Sequence, residues 1–522
     1  MNISSVEVAI PGRKIRAAED VFSAPPTADL KQRSVRGGLV VVFTQTLIFV
    51  LQTGSMFVLA RLLSPEDFGL QGMVVALTGF LNLFRDAGLS VSTVQRKVLT
   101  HEQTSTLFWI NVAVGAMLAL AAAAAAPLVV TFYREPRLFA VTIVSASAFL
   151  FNGLAVQHRA LLNRAMRFVT MAKIDILALA VSATVGVGMA ARGYGYWALV
   201  GMVISGPMTT AAAVWMAMPW LPGRPARRSG VRPMLNMGGT VTLNSLVVYL
   251  AYNTEKILLG RFWGAEALGL YGRAFALANL PVQQLNSSLN TVAFPALSSI
   301  QGDPERLNRS FLKGYAVVIS VTIPVTISCA LFAEEIVRIL LGPKWIGAAP
   351  VLRLLVPTVL VFALVNPFAW FLQATGRVSR SLNIAWLIAP IVILGVVAGL
   401  SHGPTGVALG YSAAMVLLAW PIIAWSKHGT GITTGDYWSC VRRPLGSGVI
   451  AGAVGWLFKF VFQNALLPLA LLILGLTLSF GVYVWTLLFA MGQKSVYVDL
   501  VSHVFRSSRL AGPTTGPGSE AL

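Results

Sequence analysis

Charge is what this sequence has least of. Only 11% of its 522 residues are Asp, Glu, Lys or Arg, where a soluble domain carries roughly a quarter. Cysteine is nearly absent too: Cys329 and Cys440 stand alone, which argues against a disulfide framework or a thiolate metal site. The five histidines, His101, His158, His402, His428 and His503, are scattered without metal-ligand spacing, so no metal is expected. There is no Walker A sequence, which leaves ATP hydrolysis within the chain unsupported. No pair of carboxylates stands out as a glycosyl-transfer centre, and neither catalytic residues nor cofactors are expected. Residues 1–36 contain no apolar core of a cleaved signal peptide.

Apolar residues make up the rest. The chain is 56% hydrophobic with mean hydropathy +0.74, and runs long enough to cross a bilayer recur throughout. This is the pattern of a polytopic helical membrane protein rather than of a β-barrel, whose strands alternate over short segments. Windows of about 20 apolar residues predict fourteen spans, grouped as six, six and two. The predicted division is a flexible cytoplasmic tail over 1–36 and a first six-helix lobe over 37–220. A Pro-, Gly- and Arg-rich linker at 221–235 leads to a second lobe over 236–428, two further helices over 429–492, and a cytoplasmic tail over 493–522.

The net charge of +20 does not indicate a nucleic-acid partner, because the basic residues are spread along short connections rather than gathered on one domain. With the N-terminus placed inside, 28 Lys and Arg fall in inner segments and 7 in outer connections. That asymmetry predicts both termini in the cytoplasm.

The two lobes read as a duplication. At an offset of 200 positions Arg61 matches Arg261, Glu66 matches Glu266, Gly69-Leu70 matches Gly269-Leu270 and Gly72 matches Gly272. Six predicted spans separate the copies, so the repeats have the same orientation and the natural substrate site lies between them. These junctions are expected to build the fold: Ser64-Pro65-Glu66-Asp67 reads as an N-cap, a Pro at N1 and acids in a first helical turn. The four glycines are expected to let helices approach closely.

Polar residues inside predicted spans mark the candidate site, since charge in a bilayer is costly and faces a bundle interior or a wet cavity. Ser245, Tyr249, Tyr252, Asn253 and Lys256 form one helical stripe, and Gln45, Phe49 and Gln52 form its counterpart 200 positions earlier. Arg273, Gln284, Ser288 and Thr291 share a face of the next span. The repeats differ where Lys256 and Arg273 replace Met56 and Met73. Two readings stand. Lys256 and Glu255 form a structural pair, or Lys256, Arg273 and Arg353 make a cationic site for an anionic, phosphate-bearing substrate. The intramembrane acids Glu255 and Asp175 are candidates for ion coupling.

The stretches ARLLSPEDFGLQG, DAGLSVSTVQRK, ALLNRAMRF and YGYWALV, followed by NTEKILLGRFWGAEALGLYGRAFALANLP, TVAFPALSSIQGD and GPKWIGAAPVLRLL, resemble bacterial polysaccharide-export (Wzx-type) flippases over about residues 36–425. That branch belongs to the superfamily of multidrug and toxin extruders and lipid II flippases. The resemblance implies two six-helix lobes around a central cavity in a bacterial inner membrane. It further implies that an oligosaccharide on undecaprenyl pyrophosphate is moved from the cytoplasmic to the periplasmic leaflet by alternating access. Membrane lipids, a polysaccharide polymerase and a chain-length regulator are the partners it implies. Relatives often carry Asp at the position of Glu255. Two alternatives remain: a cation-coupled exporter of small amphipathic compounds, and a membrane polymerase or ligase acting on the same lipid-linked sugars. The second would be expected to have a large polar outer loop, and every predicted outer connection is short.

Overall fold

A computed structural model describes residues 30–85, 93, 99–225, 249 and 253–494. Of the tails predicted over 1–36 and 493–522, residues 1–29 and 495–522 lie outside the described residues, as do residues 226–235 of the predicted linker, Tyr252 and the side chain of Gln284; residues 30–36 are helical. Among the described residues every regular element is helical, and ten stretches are long and apolar enough to cross a membrane. The all-helical membrane class expected from the apolar runs is the one observed.

The chain divides into two compact units. Unit one comprises residues 1–272 and 389–407, and unit two comprises 273–388 and 408–522. In unit one, α1 (Leu30–Leu62) packs on α5 (Phe168–Ala191), and α2 (Pro65–Asn82) touches α3 (His101–Tyr133) and α4 (Leu138–Arg164). Helix α3 lies along α4, and α6 (Trp197–Ala217) packs on both α4 and α5. The start of α2 is set locally as its sequence requires. Ser64 accepts from the Asp67 amide, Asp67 accepts from the Ser64 amide, and Pro65 occupies the first turn, so the orphan amides of the first turn are satisfied.

Helix α7 (Thr254–Ser299) is two helical arms joined at Gly264, whose φ of 80° and ψ of −174° suit a residue without Cβ. Gly264 stands 200 positions after Ser64, so both repeats break helix at the same place.

Unit two is built on α8 (Pro304–Leu331), α10 (Ala348–Ala374), α13 (Thr434–Phe462) and α14 (Pro468–Trp485), with the short α9 (Ala333–Leu340) set against α10 and α14. Helices α11 (Val378–Gly399) and α12 (Gly403–Lys427) are shared between the units along their length. An aromatic core of Phe311, Tyr315, Phe368, Phe371 and Tyr437 ties α8, α10 and α13 together. The Tyr315 hydroxyl is satisfied by donating to the Leu364 carbonyl at 3.0 Å. One buried ion pair fastens α9 to α13: Lys459 Nζ lies 2.7 Å from Glu335 and also donates to the Leu331 carbonyl at 2.9 Å. Prolines interrupt α3, α6, α8, α10, α11, α12 and α13 internally. Membrane helices tolerate them because neighbouring groups re-satisfy the freed carbonyls.

Candidate functional site

The duplicated junctions meet each other within unit one. A Cβ on Gly69 would fall 1.7 Å from the Ala265 carbonyl oxygen, and one on Gly269 would fall 1.8 Å from that of Pro65. Position 65 plus 200 is 265, so the contact is reciprocal, as a two-fold relation between repeats demands. Gly72 meets only the Leu268 side chain, and Gly272 faces open space. Of four glycines that look equivalent in the sequence, two are in backbone contact.

The acids of the junction are used differently in the two copies. Glu66 accepts from Arg137 at 2.5 Å, and Arg137 also binds Glu135 at 2.7 Å. Those hydrogen bonds from Arg137 hold the Glu135 carboxyl below its ordinary range. Glu266 is exposed, and Arg261 lies over the Phe132 ring, 5.7 Å from its centroid. Arg61 is exposed at the end of α1.

Just before this junction lies a polar cluster. The Tyr249 hydroxyl donates to the Ala76 carbonyl of α2 at 2.9 Å. Asn253 donates to the Tyr249 carbonyl, and its own carbonyl accepts from Lys256 Nζ, both at 2.9 Å. Glu255 is completely buried, and neither carboxylate oxygen has a hydrogen-bond partner among the described residues. Its nearest described cation is Lys256 Nζ, at 3.9 Å. A buried carboxylate with empty lone pairs is far from its lowest free energy. The arrangement can accept a proton or a small cation, and Lys256 beside it can offer charge to an anion.

The other predicted residues are distributed more widely. Gln45 and Gln52 are exposed on α1. Arg273 is half-buried on α7, in unit two. Arg353, also in unit two, has its guanidinium 3.8 Å from Glu334, which also pairs with Arg338 at 3.5 Å. Asp175 is engaged by Arg159 of α4, a residue outside the candidate set drawn from the sequence. Arg159 Nη1 and Nη2 donate to its two carboxylate oxygens at 2.6 and 2.9 Å. The signal was available: an acid inside a predicted span requires a cation on a neighbouring helix.

Comparison with known proteins gives this geometry a context. A family model described as "Polysaccharide biosynthesis protein" matches residues 58–350. The lipopolysaccharide biosynthesis protein WzxC of Escherichia coli K12 is 28% identical over 399 residues, covering 74% of this chain and 80% of that protein. The teichuronic acid biosynthesis protein TuaB of Bacillus subtilis 168 is 25% identical, covering 79% and 92%. The succinoglycan biosynthesis transport protein ExoT of Rhizobium meliloti 1021 is 23% identical, covering 92% and 96%. Among solved structures, the lipid II flippase MurJ in an inward closed conformation superposes with TM-score 0.69 at 12% identity, covering 90% of this chain and all of that one. An inward-facing multidrug transporter of the MATE family superposes at 0.56 with 13% identity, covering 73% and 94%. At these identities the structural likeness concerns the fold.

Proposed function

We propose that this chain, which belongs to the polysaccharide biosynthesis protein family, is a flippase for an oligosaccharide repeat unit carried on undecaprenyl pyrophosphate. It moves that unit from the cytoplasmic to the periplasmic leaflet of a bacterial inner membrane, by alternating access. The observation that carries the reading is the family match over residues 58–350 in a chain of membrane-spanning helices. Relatives named for lipopolysaccharide biosynthesis and succinoglycan transport support it.

The proposed architecture is fourteen spans in two parallel six-helix lobes plus two C-terminal helices, with both termini cytoplasmic. The reciprocal Gly69–Ala265 and Gly269–Pro65 contacts support the repeat relation. Tyr249, Asn253 and Lys256, together with Tyr252, Gln45, Gln52, Arg273, Gln284 and Arg353, are the proposed substrate-contacting set. Glu255, buried without a hydrogen-bond partner among the described residues, is the proposed coupling-ion group, since charging or neutralising it changes its cost of burial sharply. The lipid-linked oligosaccharide and membrane lipids are the proposed partners, with a polymerase and a chain-length regulator acting downstream.

Deletion of the gene tests the function. The expected result is loss of a surface or secreted glycan, with the lipid-linked repeat unit accumulating on the cytoplasmic face. Accumulation of unpolymerised units on the periplasmic face would instead assign the chain to polymerisation.

A further inference from the structure

A second polar site lies inside unit one, away from the Tyr249–Lys256 cluster. A cavity of about 500 Å³ is walled by the end of α2, by α4, α5 and α6, a size in the range of small-ligand sites. Its polar wall consists of Arg85, Asn152, Arg159, Ser182 and Thr210.

The chemistry centres on Arg159. Two of its five N–H donors are taken by Asp175, which leaves three, including Nε, without a described acceptor. The Arg159 and Asp175 side chains are 40% and 30% exposed, so the pair is reachable from the cavity. In an apolar bundle a guanidinium with unused donors beside a second arginine favours a ligand with several anionic oxygens, and the planar fork matches phosphate better than an ammonium would. Asn152 and Thr210 offer neutral donors at the same wall, suited to phosphate ester or sugar oxygens, while the Ser182 hydroxyl donates to the Leu179 carbonyl at 2.9 Å.

We propose that this cavity binds a phosphate- or pyrophosphate-bearing ligand through Arg159 and Arg85. Asp175 acts as the resident counter-ion that holds Arg159 in the empty site and competes with the ligand for it. The proposal deepens the flippase reading and rests on it for the ligand's source: Arg85 follows the end of α2 and Arg159 lies near the end of α4, on the side proposed as cytoplasmic, where a lipid-linked pyrophosphate would be loaded. The pairing of Arg159 with an acid distinguishes the site from a fixed cationic patch, because removing the two partners should have opposite effects.

The test is calorimetric titration of the full-length protein in nanodiscs with farnesyl pyrophosphate, inorganic pyrophosphate and farnesol. Farnesyl pyrophosphate is expected to bind, and Arg159→Gln and Arg85→Gln each to weaken it about 10- to 100-fold, the scale of a lost charge-assisted hydrogen-bond set. Asp175→Asn should tighten it several-fold, and farnesol should not discriminate among the variants. Inorganic pyrophosphate binding as tightly as the prenyl form, with the same arginine dependence, supports the anion site and identifies a free phosphate compound as its ligand. Prenyl pyrophosphate binding more tightly identifies a lipid. Absence of binding to the wild type, unchanged binding by Arg159→Gln, or weakening by Asp175→Asn overturns the proposal; the last is what a merely structural ion pair predicts. If glycan export depends on the protein while Arg159→Gln binds as wild type, this inference fails alone. If the arginine dependence holds but export does not require the protein, the flippase reading fails and the site stands.

Discussion

The four glycines of the duplicated junction separate in one substitution series. An ordinary contact between an aliphatic carbon and a carbonyl oxygen lies at about 3.3–3.6 Å. Alanine at position 69 would place its Cβ 1.7 Å from the Ala265 oxygen, so α2 and the second arm of α7 must part by roughly 1.6 Å. Backbone cannot step aside as a side chain can, and overpacking of this kind costs about 1–3 kcal/mol. Alanine in place of helical glycine returns only about 0.5–1 kcal/mol. Gly69→Ala and Gly269→Ala should therefore each lower stability, and by similar amounts because their contacts are reciprocal. Gly72→Ala meets the mobile tip of Leu268 at 3.3 Å and should stay within about 0.5 kcal/mol of wild type. Gly272→Ala meets nothing within 4 Å and should be neutral or slightly stabilising. Thermal unfolding midpoints of the full-length protein in a single detergent give the order directly. A Gly272→Ala variant as damaged as Gly69→Ala, or an undamaged Gly69→Ala, would refute the reasoning.

Three further outcomes are expected. Lys459→Met leaves Glu335 buried without its partner and should cost about 3–5 kcal/mol, as should Glu335→Gln to a lesser extent, while Lys459→Met with Glu335→Leu should recover most of the loss; a double variant no better than the summed singles would contradict a buried pair. The Glu135 carboxyl is held low by Arg137, so its contribution to stability is complete above its unfolded value near 4.3 and is lost as pH falls through the lower folded value. Glu135→Gln should then flatten the acid dependence of unfolding below about pH 4, measured as melting midpoints across pH 3–6. Glu255→Gln keeps the shape of the buried group but removes its charge, and should reduce glycan export about tenfold or more without loss of folded protein; export at the wild-type rate would remove Glu255 from the coupling step.

Much of this molecule is readable before any coordinates. The apolar runs identify helices in a membrane, Ser64 and Asp67 mark the start of α2, and the 200-residue offset locates two junctions that meet reciprocally. What the sequence does not carry is partner choice across helices. Gly69 and Gly272 differ only in what faces them, and that depends on how α2 crosses α7. Asp175 is visibly an acid inside a span, but its partner Arg159 lies on another helix, α4, 16 residues away. Lys459 finds Glu335 across 124 residues, a distance over which local periodicity carries no information. Arg353 looked like a third member of a cationic cluster, and Glu334 on the preceding short helix is its described neighbour. Charge in a membrane announces that a partner exists, without saying which.

This chain is proposed to move a lipid-linked oligosaccharide across a bilayer. The most direct measurement places the purified full-length protein in proteoliposomes loaded with a fluorescent prenyl-pyrophosphate oligosaccharide, and follows exposure of the sugar to an impermeant quencher. Protein-dependent conversion of the protected pool, slowed by Glu255→Gln, is the predicted result. A protected pool that stays constant while the protein remains folded would contradict the account.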